Sequence, residues 1–276
     1  MNPLSPLDPR KLDAVVLTLD SAKTLRLCLE SLRSTPEVSS IIVVDGGSND
    51  GTLSIARELA DKIAVFPNSN IGEARDRALD MVDSELFIFV DSDVVVTPVC
   101  IRASLEMLSK DYRLAAVASK TLPSDPRLLG KGSGSAAMEP EYNTLAFGLV
   151  VMRSDALSRC RIPHLVRGED AKTGERLERM GYKWTFQTKA SSMHVKTVPD
   201  VWFHYFRYGS KGHQSGQPGL VLITTAKLWL RLFFFAWSWR AKKRSLHEVV
   251  KNLFFLAGYL NYMTRIKGRP YRVERN

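Results

Sequence analysis

Three apolar runs in the first third of the chain each lead straight into aspartate: Leu12 to Leu19 into Asp20, Ile41 to Val44 into Asp45, and Leu86 to Val90 into Asp91-Ser92-Asp93. Short runs this rich in β-branched and apolar residues read as strands buried on both faces, the kind that helices cover in α/β proteins. Segments with helical spacing separate them. Ser21 stands as N-cap to a helix in which Leu25, Cys28, Leu29 and Leu32 share a face. Gly51 to Ala60 and a stretch near Ile71 to Val82 fit two further helices, Ile63 to Phe66 a short strand between them, and Pro98 the first turn of a fourth helix. The order predicts a three-layer α/β domain around a largely parallel sheet.

Farther on, Lys120 to Asn143 turns rich in Gly, Pro and Ser, with Gly130, Gly132 and Gly134 close together, and reads as a loop bordering a binding site or as an inert insertion. An apolar run at Leu145 to Met152, a helix opening near Glu169 and a strand at Lys183 to Gln187 follow it. No internal repeat is visible.

The strand-end carboxylates carry the chemistry. In an open parallel sheet, ligands bind beyond the carboxyl ends of the strands. Side chains two apart in extended backbone point to one side, so Asp91 and Asp93 can face a common cation. Hard oxygen donors suit magnesium or manganese, either of which also bridges phosphate oxygens. Aspartates after strands also cap the helices that follow, and for Asp20 and Asp45 both roles stand. Glu169 and Asp170 likewise fit the first turn of a helix, where acids favour the dipole.

Several separated motifs recur in one order: Leu17-Thr-Leu-Asp-Ser-Ala-Lys-Thr-Leu25, Val43-Val-Asp-Gly-Gly-Ser-Asn-Asp-Gly-Thr52, Asn70-Ile-Gly-Glu-Ala-Arg75, Asp91-Ser-Asp93, and Gly168-Glu-Asp170 followed by Arg176-Leu-Glu-Arg-Met-Gly-Tyr-Lys183. On these residues the chain, from about 12 to 212, resembles the family 2 glycosyltransferases of the GT-A fold. That resemblance implies a nucleotide-diphospho-sugar transferase fold and a donor site in which Thr18, Leu19, Asp20 and Asp45 line the base and ribose. It implies Gly72 and Arg75 close to the nucleotide, Asp91 and Ser92 at the ribose, and Asp93 holding Mn2+ or Mg2+ on the diphosphate. Asp170 matches the catalytic base, with Glu169 beside it. Met193 to Thr197 and Trp202 to Lys211 resemble the region that supplies His and Arg to the diphosphate, which makes His194 a further metal or phosphate ligand and brings Arg207 and Lys211 over the donor. Two departures stand out. Leu19-Asp20 occupies the place of a common Tyr-Asn, and Ala171-Lys172 follows Glu-Asp where the family usually has another acid.

The implied reaction is inverting, metal-dependent transfer of a sugar from UDP or GDP to a hydroxyl of a glycan or glycolipid acceptor. A polyprenyl phosphate acceptor is the alternative within the class, but it is already ionised and needs no base such as Asp170. A non-catalytic nucleotide-sugar or membrane-binding module is the alternative outside it. A sugar nucleotidyltransferase fits poorly, because the first strand lacks a Gly-rich loop for a triphosphate.

Composition and charge bear on the partners. The 276 residues are 45% hydrophobic and 25% charged, which excludes a disordered or collagen-like chain. Cys28, Cys100 and Cys160 lie too far apart for a zinc site or a disulfide framework and read as reduced cytosolic thiols. Met1 to Arg10 has three prolines and no apolar run, so it reads as neither leader nor anchor. The net charge of +10 is local: from Leu220 onward stand 12 Lys and Arg against 2 Glu, while residues 1 to 219 balance at 27 of each sign. A neutral body with a basic end argues against one extended nucleic-acid-binding face across the fold and for a local anionic partner, phospholipid or nucleic acid.

Leu220 to Trp239 contains six Phe or Trp and two charges, with Thr224, Lys227, Arg231 and Ser238 in one stripe. It predicts an amphipathic helix at the membrane interface, with spanning left open. Arg240, Lys242, Lys243 and Arg244 follow, and a second apolar stretch, Leu253 to Met263, ends in Arg265, Lys267, Arg269 and Arg272. Basic clusters of this kind favour anionic lipid on the cytoplasmic face. A soluble helical pair packed on the core or on a dimer face fits the same pattern. The expected organisation is a catalytic domain over 1–212 and a basic, apolar helical segment over 213–276.

Overall fold

Alternate residues of the first strand go to opposite layers, and that alternation organises the molecule. The computed structural model describes residues 12–128, 145–197, 199–202, 206 and 249–260. Arg207, Lys211, Leu220 to Trp239 and most of the Gly-rich stretch lie outside the described residues. The chain divides into two units, Met1–Lys196 and Thr197–Asn276.

The first unit runs β1 (Leu12–Thr18), α1 (Leu25–Arg33), β2 (Val38–Asp45), α2 (Thr52–Leu59), β3 (Lys62–Val65), α3 (Ile71–Ala78), β4 (Leu86–Asp91), β5 (Val94–Val95), α4 (Pro98–Lys110), β6 (Leu114–Pro123), β7 (Leu149–Arg153), α5 (Ser154–Cys160), α6 (Glu169–Arg179) and β8 (Lys183–His194). The strands form one sheet in the order β3-β2-β1-β4-β7-β6-β8-β5. β1 to β4 are mutually parallel, as are β6 and β8. β7 runs antiparallel between β4 and β6, and β5 antiparallel to β8.

On one face Leu12, Ala14, Val16, Ile88 and Val90 pack with Leu25, Leu29 and Leu32 of α1 and Ile101, Leu105 and Leu108 of α4. On the other, Val15, Val44, Phe87 and Phe89 pack with Ala74 and Ala78 of α3, Leu157 of α5 and Leu177 of α6. Each fully buried large side chain contributes about 1.5–3 kcal/mol. Phe89 sits edge-on to Phe87 at 5.0 Å and tilted against Phe147 at 5.4 Å. The three cysteines are free and buried.

Several local expectations change. Ser21 does not cap α1: its hydroxyl donates to the Leu19 carbonyl, and its own carbonyl starts a turn by accepting from Thr24 and Leu25. The helix opens after Thr24 instead. The stretch near Ile71 to Val82 is α3, capped by the Asn70 side chain on the Glu73 N–H at 2.9 Å, followed by a 3₁₀ turn at Leu79–Met81. Lys120 to Pro123 is strand, not loop, because it pairs with Ser191 to His194. β8 thus runs seven residues past Gln187, through a bulge closed by the Gln187 side chain, which bonds both the N–H and the carbonyl of Ala190.

In the second unit, residues 249–260 are helical, with the Phe254 ring 5.9 Å from that of Trp202. Among the described residues no helix is long and apolar enough to cross a membrane.

Candidate active site

The turns that follow β1 and β2 are sewn together by side chains. Asp45, fully buried at the end of β2, accepts from the N–H groups of Gly47 and Ser48 at 2.8 and 2.7 Å and from the hydroxyls of Thr18 and Ser48 at 2.8 and 2.5 Å. Gly47 takes φ 93°, which explains a glycine there. Asp20, exposed and itself at φ 49°, accepts the Asn49 N–H at 2.9 Å, while the Ser48 hydroxyl accepts the Asp20 N–H at 2.8 Å. Asp50 then takes the Ala22 and Thr52 N–H groups. Leu19 stands exposed between these contacts.

β4 ends beside them. The Ser92 hydroxyl lies 2.9 Å from that of Ser21, and the Cys28 thiol donates to the Asp91 carbonyl. The side chains of Asp91 and Asp93 take different partners. Asp91, half-exposed, has Oδ1 3.2 Å from Arg75 Nη2. Its neighbour on β7's approach is Gly148, where a β-carbon would come within 3.0 Å of Asp91 Oδ2. Asp93 Oδ2 lies 2.9 Å from His194 Nε2, a meeting set by the ladder that pairs Val94 with His194.

Arg75, on α3, is buried between the rings of Phe147 and Phe89, its guanidinium carbon 5.1 and 5.8 Å from their centroids. Its Nη1 pairs with Glu169 Oε1 while Nη2 reaches Asp91, so one guanidinium joins the end of β4 to the start of α6. Gly168 at φ 72° turns the chain into α6, and Asp170 stands half-buried next to Glu169. Burial pushes the Glu169 carboxyl up; Arg75 opposes this, but the charges of Asp170 and Asp91 add to it and the net shift is upward. Burial also pushes Asp93 up, but the hydrogen bond and charge of His194, with Lys196, overcome it and hold Asp93 below the usual carboxylate range.

An ionised carboxylate oxygen beside an imidazole nitrogen is a donor pair that suits manganese, and less well magnesium, which prefers oxygen alone. Asp93 and His194 would therefore suit a divalent cation. Among the described residues no group of three or more His, Cys, Asp or Glu is placed to hold a metal by protein ligands alone.

Gly72, in the first turn of α3, meets protein rather than open space: its N–H donates to the Leu165 carbonyl, and a β-carbon there would collide with the Pro163 carbonyl. Sequence reasoning missed Gly148, Asp76 and Arg161. A lone glycine before an apolar strand carries no signal, and Asp76 and Arg161 stand 85 residues apart, joined only by the fold.

The chain is similar to known proteins in sequence and in fold. It is 33% identical over 89 residues to the cholesterol galactosyltransferase of Borreliella burgdorferi, a match covering 30% of this chain and 25% of that protein. The chain thus spans about a quarter of the length of that curated relative. The mannosyltransferase PcManGT from Pyrobaculum calidifontis, solved in complex with GDP-Man and Mn2+, superposes with a TM-score of 0.58 at 17% identity, covering 95% of this chain and 76% of that one. Glucosyl-3-phosphoglycerate synthase from Mycobacterium tuberculosis, solved with Mn2+, UDP-glucose and phosphoglyceric acid, superposes at 0.51 with 20% identity over 68% and 72% of the two chains. These likenesses show the GT-A fold. The family described as Glycosyl transferase family 2 matches residues 13–150 of the 276, half the chain, and the protein belongs to that family.

Proposed function

We propose that the protein is an inverting glycosyltransferase that moves a sugar from a nucleoside diphosphate to a hydroxyl of a lipid-linked or membrane-proximal acceptor, at the cytoplasmic face of a membrane. The observation that carries this reading is the fork of Arg75, which draws Asp91 at a strand end and Glu169 at a helix start to one place, with Asp170 the next residue after Glu169. A sugar hydroxyl is a weak nucleophile until a base removes its proton. Asp170 accepts that proton as the oxygen attacks the anomeric carbon; the bond from that carbon to the diphosphate breaks on the opposite side, and the configuration inverts. Asp93 and His194 would hold Mn2+ or Mg2+, which when bound stabilises negative charge on the departing diphosphate.

The lipid-proximal acceptor rests on the basic, aromatic sequence after Leu220 and on the sterol named for the Borreliella relative. Calorimetric titration with UDP and GDP, with and without manganese, tests the donor site on wild type and Asp93→Ala. Manganese-dependent binding of one nucleotide, lost in the variant, is expected; no binding under any condition overturns the reading. Flotation with vesicles tests the acceptor side, with binding to vesicles containing anionic lipid and release from purely zwitterionic ones expected.

A further inference from the structure

The segment that delivers Glu169 and Asp170 begins at Arg161, whose φ of 46° is strained for a residue with a side chain. Such a conformation persists only where the surroundings hold it. Here the guanidinium is gripped from α3 and the turn after it: Nε lies 3.0 Å from Asp76 Oδ1, Nη1 lies 2.7 Å from Asp80 Oδ1, and Nη2 donates to the Asp76 carbonyl at 3.1 Å. The Arg161 carbonyl is held from α6, by Arg176 Nη1 at 3.2 Å.

The buried Asp76 carboxylate reaches along the same segment. It accepts the Ile162 N–H at 2.8 Å and lies 3.1 Å from His164 Nε2. Burial pushes its carboxyl up, but the contacts from His164, Ile162 and Arg161 outweigh that and hold it below the usual range. The residue before Asp76 is Arg75, which pairs with Glu169 at the other end of the segment. Two consecutive residues of α3 therefore fix both ends of the stretch 161–169, one inside the site and one outside it.

We propose that Asp76 and Arg161 are positioning residues, a latch outside the site that sets where Asp170 stands for proton transfer. The proposal rests on the glycosyltransferase reading with Asp170 as base. Neither latch residue reaches the donor side; they act through the backbone from 161 to 168, and a displacement of about 1 Å at a reacting group costs on the order of 100-fold in rate.

The test compares wild type, Asp76→Asn, Arg161→Gly and the double variant. Arg161→Gly removes the guanidinium while glycine accepts the same φ freely. Asp76→Asn keeps the shape and removes the charge. Each folded variant is titrated with UDP and GDP plus manganese, and sugar transfer to water is followed with UDP-glucose, UDP-galactose and GDP-mannose. The expected result is a kcat lowered roughly 10- to 100-fold with donor KM changed by no more than about twofold, and a double variant no worse than either single one. Wild-type kcat in folded variants, or KM and kcat worsening together through lost nucleotide binding, overturns the latch and spares the enzymatic reading. A wild type that binds and cleaves none of the donors overturns both. Should Asp76→Asn fail to fold, Arg161→Gly decides alone, measured well below its thermal midpoint.

Discussion

Asp45 and Asp91 end the two strands that flank β1 in the parallel half of the sheet, yet they are different objects. Asp45 is sealed from solvent and receives three hydrogen bonds from its own turn and a fourth from Thr18 at the end of β1, which fills the capacity of a carboxylate. Among the described residues Asp91, half-exposed, has one side-chain partner, at 3.2 Å, and Asp93 nearby has an imidazole beside one oxygen. A carboxylate whose lone pairs are used holds a turn; one with capacity left over can take a ligand. Position at a strand end does not separate the two, but the count of donors does.

The division can be broken at several points. Asp170→Asn should produce the largest change, lowering turnover roughly 10²- to 10⁴-fold while donor affinity stays near wild type, as read by single-turnover assay and calorimetry. Asp93→Ala should weaken manganese-dependent nucleotide binding on the order of 100-fold with little effect on the urea midpoint. Asp45→Ala should do the reverse. Four donors, that of Thr18 buried and the others partly so, lose their acceptor, so urea unfolding should register a loss of about 2–3 kcal/mol; a variant as stable as wild type that fails to bind nucleotide would place Asp45 with the ligand-binding group.

Asp76 belongs on the structural side of the same line, and acid sharpens the point. Its folded pKa lies below the unfolded value, so its contribution is present above about pH 4 and is lost as pH falls through the folded value. The stability gap between wild type and Asp76→Asn should therefore close on acidification. Gly148→Ala should have the smallest effect: its β-carbon would nudge Asp91 off its rotamer, at a cost of about 0.5–1.5 kcal/mol in donor binding and little in stability.

The parallel half of the sheet was legible because its strands are unbroken apolar runs, each followed by a polar turn and a helix with its own spacing. The other half was less so. Leu145 to Met152 is equally apolar, and nothing in such a run tells its direction, so the antiparallel course of β7 was invisible. Lys120 to Pro123 looks like loop because its polarity reflects pairing with the far end of β8 across a bulge, a contact made in space alone. β5 is two residues long and α5 seven, too short for any periodicity to emerge. At the site, Asp93, His194, Arg75 and Glu169 were all legible as candidates from their motifs. Their pairings were not, because the fork of Arg75 spans 94 residues to Glu169. The latch escaped for the same reason.

The three buried thiols described with the fold add a property of another kind. Burial raises the proton affinity of all three, most strongly that of Cys28, whose sulfur lies against the Asp91 carbonyl behind the donor end of the sheet. A thiol in that state does not react; the thiolate does, and only once the surrounding layer opens. The chain thus carries three internal clocks. Cys28 sits in α1, Cys100 in α4 and Cys160 at the end of α5, so the rates at which a thiol reagent captures them time the breathing of three separate parts of the molecule, with no label added.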